Sequence, residues 1–193
     1  MEKTKGSTAV KNAVVGFKLL LICAIVAAVV AFVYQLTLSK YQENLQQTKD
    51  LAVAEIFGRE GARCEELYTD PESGTVVYCV YYGEDAVVDG YCVEAAAPGF
   101  GGDVSVMVGY REDHSILGVS VISMSETPGL GSKVGKESFL EQYKGKMGNL
   151  ELGSDVDAIS GATVSSGAMT DAVNLATKAL ESAVSATLGG EAQ

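Results

Sequence analysis

The sequence predicts an α+β domain carried behind a single N-terminal transmembrane helix, and three observations point there. Leu19 to Ser39 is a run of 21 residues without a charge. Between residues 75 and 122, four apolar runs rich in β-branched and aromatic residues follow one another at hairpin spacing. Beyond them the pattern turns helical, and no strand–crossover helix–strand series appears, which argues against a doubly wound parallel sheet.

At about 1.5 Å per residue, the uncharged run spans a hydrocarbon core of roughly 30 Å. A basic segment precedes it, and Ala28-Val-Val-Ala31 is faintly cleavage-like. The run nevertheless exceeds the roughly 7–15 residues of a signal-peptide core, which favours an uncleaved anchor. Lys3, Lys5, Lys11 and Lys18 precede the span, whereas Lys40 and Lys49 follow it mixed with Glu43 and Asp50. Positive charge is retained in the cytoplasm, so the expected order is a cytoplasmic segment 1–18, a transmembrane helix 19–39 and an extracytoplasmic remainder. The localisation that follows is a cell (inner) membrane, crossed once.

Residues 50–193 hold eight Lys and Arg against 23 Asp and Glu, a net charge of −15. Such an acidic domain is a poor partner for nucleic acid or anionic lipid. The four cysteines form no Cys-x-x-Cys pair and no cluster of metal-site spacing, so no metal is expected. Cys23 lies in the span, leaving Cys64, Cys79 and Cys92, an odd number that argues against a disulfide framework but leaves a single pairing open.

After the span, Leu45, Leu51, Ala52 and Ile56 recur at helical spacing, predicting a stalk helix over 40–58 that Gly58 ends. The domain then occupies 59–188, with a polar tail at 189–193. Asp70 to Gly74 is a turn cluster. Strands are predicted over 75–82 and 86–97, joined by a loop at Gly83–Asp85, and again over 103–110 and 116–122. Tyr78, Tyr81, Tyr82 and Tyr91 sit at spacings typical of sheet surface and core. His114, the chain's one histidine, falls in the last of these loops, an unpromising place for a base.

Glu126-Thr-Pro-Gly-Leu-Gly131 follows the last strand, with Pro128 and Gly129 at the second and third positions of a turn. Residues 136–147 suggest a short helix, near which Lys133, Lys136, Lys144 and Lys146 concentrate the domain's positive charge. The stretch Asp157 to Ser166 joins Gly161 and Ala162 to the hydroxyls of Ser160, Thr163, Ser165 and Ser166 where a final helical pattern begins, at Val164, Ala168, Ala172, Leu175, Ala176, Ala179 and Val184. Hydroxyl oxygens suit the first-turn N–H groups of a helix, and those N–H groups with the helix dipole also suit a phosphate. On pattern alone, an ordinary capped helix packing an alanine-rich face on the core is the favoured account of the stretch.

Asp157-Ala-Ile-Ser-Gly-Ala-Thr163 resembles the D-x-x-S-G-A-T signature of the FMN-binding domain in the G subunit of the Rnf electron-transport complex. The block Glu126–Gly131 matches that family's E-T-P-G-L-G, with the Gly-rich segment Pro98–Gly102 upstream, and the likeness covers roughly residues 95–185. The resemblance implies FMN attached to Thr163 by a phosphoester, with Ser165 and Ser166 at the helix start offsetting the remaining phosphate charge. It further implies that Asp157, Ser160, Gly161 and Ala162 are recognised by a flavin transferase, and that Thr127, Gly129 and Leu130 border the ring. Glu126 would hold the turn or hydrogen-bond the flavin. No residue of this chain is implied to be catalytic in its own right. The partners implied are the other membrane and redox subunits of such a complex, with electrons relayed through the FMN. Relatives often carry a histidine before the glutamate, where this chain has Ser123-Met-Ser125. The C subunit of the sodium-pumping NADH:quinone oxidoreductase shares both motifs in a longer chain, and a membrane-bound FMN redox sensor is the remaining alternative. No G-x-G-x-x-G follows a strand, so a nicotinamide site is not expected.

Overall fold

A computed structural model describes residues 3–82 and 87–190 of the chain. It divides into two compact units, Met1–Gln46 and Gln47–Gln193. The predicted loop at Gly83–Asp85 and the last three residues of the predicted tail lie outside the described residues.

Helix α1 runs without a break over Lys3–Phe57. Its composition explains the continuity: Ala, Leu, Ile and Val dominate, proline is absent, and Gly58 closes the helix at φ 65°. It contains a stretch long and apolar enough to cross a membrane, near the N-terminus. Large apolar side chains from Phe17 to Leu36 are exposed around it, as expected of a helix whose solvent is lipid.

In the second unit, β1 (Arg63–Thr69), β2 (Val76–Tyr81), β3 (Gly90–Pro98), β4 (Asp103–Tyr110) and β5 (Ile116–Met124) form an antiparallel sheet in chain order. The fold class is therefore α+β. Alternation sets which residues are buried. Val93, Val106 and Val108 face α3 (Thr163–Gly190), whose Ala168, Ala172, Val173, Ala176 and Ala183 bring it close to the sheet. Tyr110 and Tyr143 reach this interface and hydrogen-bond Thr177 and Thr170, each at 2.9 Å. The opposite face takes the end of α1, where Ala52 and Val53 are buried against Val80, Cys92 and Met107. Gly109 leaves room there that a Cβ would take from Ile56, and Lys49 pairs with Glu94 at 2.6 Å.

β1 is absent from the expected elements. Its residues are largely exposed, and Arg63, Glu65 and Glu66 charge the sheet's edge, so no apolar alternation marks it. The short helix expected over 136–147 is instead two pieces, α2 (Glu137–Leu140) and a 3₁₀ turn at Glu141–Tyr143, and a further 3₁₀ turn at Gly131–Gly135 precedes them. Gly145 then leaves at φ 76°, which ends any helix there.

The register settles the cysteine pairing. Cys64 faces Val80 and Cys92 faces Tyr78, so both lie on the α1 side with β2 between them and two residues out of register, about 12 Å apart. Cys79 lies on the other face, opposite Glu65 and Tyr91. No two of these three meet the roughly 7 Å Cα limit with converging side chains, and all are free thiols.

Candidate functional site

The two sequence motifs meet at one place. Thr127 to Leu130 forms a tight turn in which the Leu130 N–H donates to the Thr127 carbonyl at 3.2 Å. Gly129 supplies φ 76° at its third position, the geometry of a type II turn. On the other side, Gly161 at φ 80° turns the chain into α3, and Ala162 N–H donates to the Ile159 carbonyl at 2.9 Å. Thr163 is then the first helical residue, and its side chain is exposed.

Glu126 ties the two walls to a third. Its Oε1 accepts from the Phe100 N–H at 2.8 Å and the Gly101 N–H at 3.4 Å, both in the β3–β4 turn. Its Oε2 accepts from the Ser165 hydroxyl of α3 at 2.8 Å. Gly99 and Gly131 are what allow this approach: a Cβ on Gly99 would strike Oε1, and one on Gly131 would lie 2.6 Å from both Oε2 and the Ser165 oxygen. Burial pushes the Glu126 carboxyl up, but the Ser165 hydroxyl and the N–H groups of Phe100, Gly101 and Thr127 together outweigh it and hold the carboxyl below its ordinary range.

That depression has a direction in pH. The folded value lies below the unfolded one, so the Glu126 bonds contribute fully above the unfolded pKa of about 4.3 and are lost as pH falls through the folded value. Urea midpoints are expected to show no Glu126 contribution to any change between pH 7 and 6. Below about pH 4.3 the wild type should lose stability that Glu126→Gln does not lose, and parallel acid curves for the two would refute this.

The space between the walls is a hollow of about 330 Å³ lined by residues of all three segments, among them Phe100, Glu126, Leu130, Thr163 and Val164. Of the residues expected from sequence, Glu126, Thr127, Leu130, Gly161, Ala162, Thr163 and Ser165 line it. Gly129, Asp157, Ser160 and Ser166 do not. Asp157 and Ser160 are exposed on the approach to α3, whereas Ser166 is buried and its hydroxyl accepts from the Ile159 N–H at 3.1 Å. The hydroxyls of Ser165 and Ser166 are thus engaged within the protein, and the groups at the helix start suited to an anion are the backbone N–H groups of its first turn.

Phe100, Gly131 and Val164 belong to the hollow without having stood out in the sequence as site residues. Phe100 is 73% and Val164 57% exposed, so both form an apolar rim. An aromatic residue inside the glycine-rich Pro98–Gly102 is the available signal for the first. The helical period places Val164 on the buried face of α3, but at the first turn it looks into the hollow instead. His114 stands apart in a turn at φ 64°, edge-on to Tyr91. The lysines do not converge on the hollow: Lys144 lies 3.9 Å from Glu141, and Lys146 donates to the Asp155 carbonyl. A larger hollow of about 630 Å³ along α3, between Asp171 and Glu181, holds neither motif.

An FMN phosphate and ring fit this place on chemistry alone. An exposed alcohol stands at a helix N-terminus, a glycine at positive φ keeps the backbone close, and apolar side chains edge the space.

Residues 99–178 match the FMN-binding domain family. The G subunit of the ion-translocating oxidoreductase complex of Methanosarcina acetivorans is 34% identical over 168 residues, covering 82% of this chain and 88% of the relative. The G subunit of the Na(+)-translocating ferredoxin:NAD(+) oxidoreductase complex of Acetobacterium woodii is 28% identical over 181 residues, covering 83% of this chain and 87% of the relative. Among solved structures, Shewanella oneidensis NqrC aligns with a TM-score of 0.45 at 23% identity, over 56% of this chain and 61% of that one.

Proposed function

Because this chain belongs to the G-subunit family of ion-translocating oxidoreductase complexes, we propose that it is a membrane-anchored flavoprotein that relays electrons through FMN bonded to Thr163. The observation that carries this is the meeting of both motifs around one hollow with the Thr163 hydroxyl exposed at the start of α3. Bound FMN supplies reversible electron transfer; the chain supplies attachment, orientation and environment.

Thr163 provides the alcohol oxygen of the phosphoester, and the first-turn N–H groups of α3, including those near Ser165, offset the phosphate charge that remains. Asp157, Ser160, Gly161 and Ala162 form the segment a flavin transferase recognises. Thr127 and Leu130 border the ring from one side, held in place by the turn that Gly129 allows, and Phe100 and Val164 complete the rim. Glu126 holds the surrounding turns together. The electron donor and acceptor are other membrane and redox subunits of an Rnf-type complex, held nearby by the anchor, which raises their effective concentration.

In this assignment residues 19–39 cross the membrane, 40–58 form the stalk and 59–188 the extracytoplasmic domain. A protease added to intact spheroplasts is expected to digest the chain beyond Ser39 while sparing a tag at Met1, because the lysine bias retains the N-terminus inside. Digestion of the tag with protection of the domain would reverse the orientation. The electron-carrier function is tested by isolating the full chain from a host that makes the transferase: the protein band should fluoresce as flavin after denaturation, and a colourless, unmodified band would refute covalent attachment.

A further inference from the structure

Glu126 is the one ionisable side chain among the residues lining the 330 Å³ hollow, and holding turns together does not by itself require a charge there. A glutamine could accept from the same N–H groups. The carboxylate is fixed from two directions, by Phe100 and Gly101 on Oε1 and by Ser165 on Oε2. Gly99 and Gly131 let the backbone close around it. All of these partners are neutral, and among the described residues no salt bridge reaches it. Its carboxyl is held below the ordinary range despite burial, so the charge is present at neutral pH. A rigid carboxylate with only neutral donors keeps its net charge, and at the low effective dielectric of a protein site that charge acts over several ångströms.

We propose that Glu126 is a fixed negative charge that lowers the reduction potential of the flavin held in this hollow, an inference that rests on the FMN assignment above and deepens it. Reducing the ring takes two electrons and, when it gains one proton from solvent, leaves one net negative charge. A carboxylate on the wall of the same hollow raises the energy of that charged product and leaves the neutral oxidised ring little affected.

The test is a spectroelectrochemical titration of the full-length, flavin-loaded protein in detergent, with electrons supplied by an electrode through mediators. Glu126→Gln keeps the shape and removes the charge; reduction should become roughly tenfold more favourable, a rise of about 30 mV for a two-electron couple. Ser165→Ala keeps the charge and removes the hydroxyl that draws part of it away, so reduction should become about twofold less favourable, a shift opposite in sign. A merely structural role would move the two variants alike or neither. A loaded Glu126→Gln protein with unchanged or lowered potential overturns the inference and leaves the FMN assignment standing, and so does a rise in both variants. If Glu126→Gln fails to fold or load, Ser165→Ala decides alone: a fall supports the inference, and no change or a rise overturns it. Wild-type protein that carries no flavin overturns the FMN assignment and this inference with it.

Discussion

Thr163→Val is expected to abolish covalent flavin while leaving the domain folded. A phosphoester needs an alcohol oxygen, and valine keeps the β-branched shape without one. The side chain is exposed at the first position of α3. The helix start is held by other groups: Ser166 accepts from Ile159 at 3.1 Å, and Ser165 donates to Glu126 at 2.8 Å. The stability change should therefore stay within about 0.5 kcal/mol, less than the roughly 1 kcal/mol that loss of a capping hydroxyl would cost. After co-expression with a flavin transferase, the wild-type peptide containing Thr163 should gain the mass of FMN less one water, and the variant peptide should not. Ser166→Ala should retain the modification. A modified Thr163→Val peptide, or an unmodified wild-type one, would show that the bond is elsewhere or absent.

Gly99→Ala is expected to lower stability by about 2–5 kcal/mol, the combined order of an overpacked site and a broken buried hydrogen bond. The reason is space and not dihedral angle. A Cβ there would strike Glu126 Oε1, lie 2.7 Å from the Gly102 carbonyl oxygen and 3.1 Å from Val104 Cγ2. Glu126 would have to release Phe100 and Gly101, and the hollow would lose the β3–β4 turn as a wall. For a unit of this size the fall in Tm is on the order of 10 °C, and flavin retention should fall with it. Gly167→Ala is the internal control, since a Cβ at this helical glycine meets nothing within 4 Å. It should raise stability by about 0.5–1 kcal/mol. Denaturant unfolding of the two variants beside wild type checks both signs, and a Gly99→Ala protein as stable as wild type would refute the steric account.

The parts of the fold legible in the sequence are those where burial repeats. β3 to β5 stand out as apolar, β-branched runs because one face of the sheet packs α3 and the other the end of α1, and α3 shows its alanines every three or four residues because one of its faces packs on that sheet. β1 lacks that signal because it is the exposed edge, with charges where a buried strand has valines. Within the site, each motif is recognisable as a string of residue types, yet what joins them is not. Glu126 and Ser165 are separated by 39 positions, and a single hydrogen bond between side chains has no period. The directions of the Ser165 and Ser166 hydroxyls are hidden for the same reason: a hydroxyl at a helix start accepts or donates according to neighbours the local sequence does not name. Val164 errs the other way, since its place in the helical repeat suggests burial at a turn that lies beyond the edge of the core.

The chain order of the sheet also sets when the cofactor site can exist. Every strand pairs with its neighbour in sequence, so β1 to β5 can zip together as synthesis proceeds from the N-terminus. Residues 160–166 come last, and until they arrive Glu126 has no Ser165 and the hollow has no third wall. The same delay leaves Val93, Val106 and Val108 uncovered by α3. A chain cut short before α3 would therefore display an uncovered apolar sheet face and lack Thr163. If Thr163 carries the flavin as proposed, the bond marks chains in which synthesis has reached the start of α3.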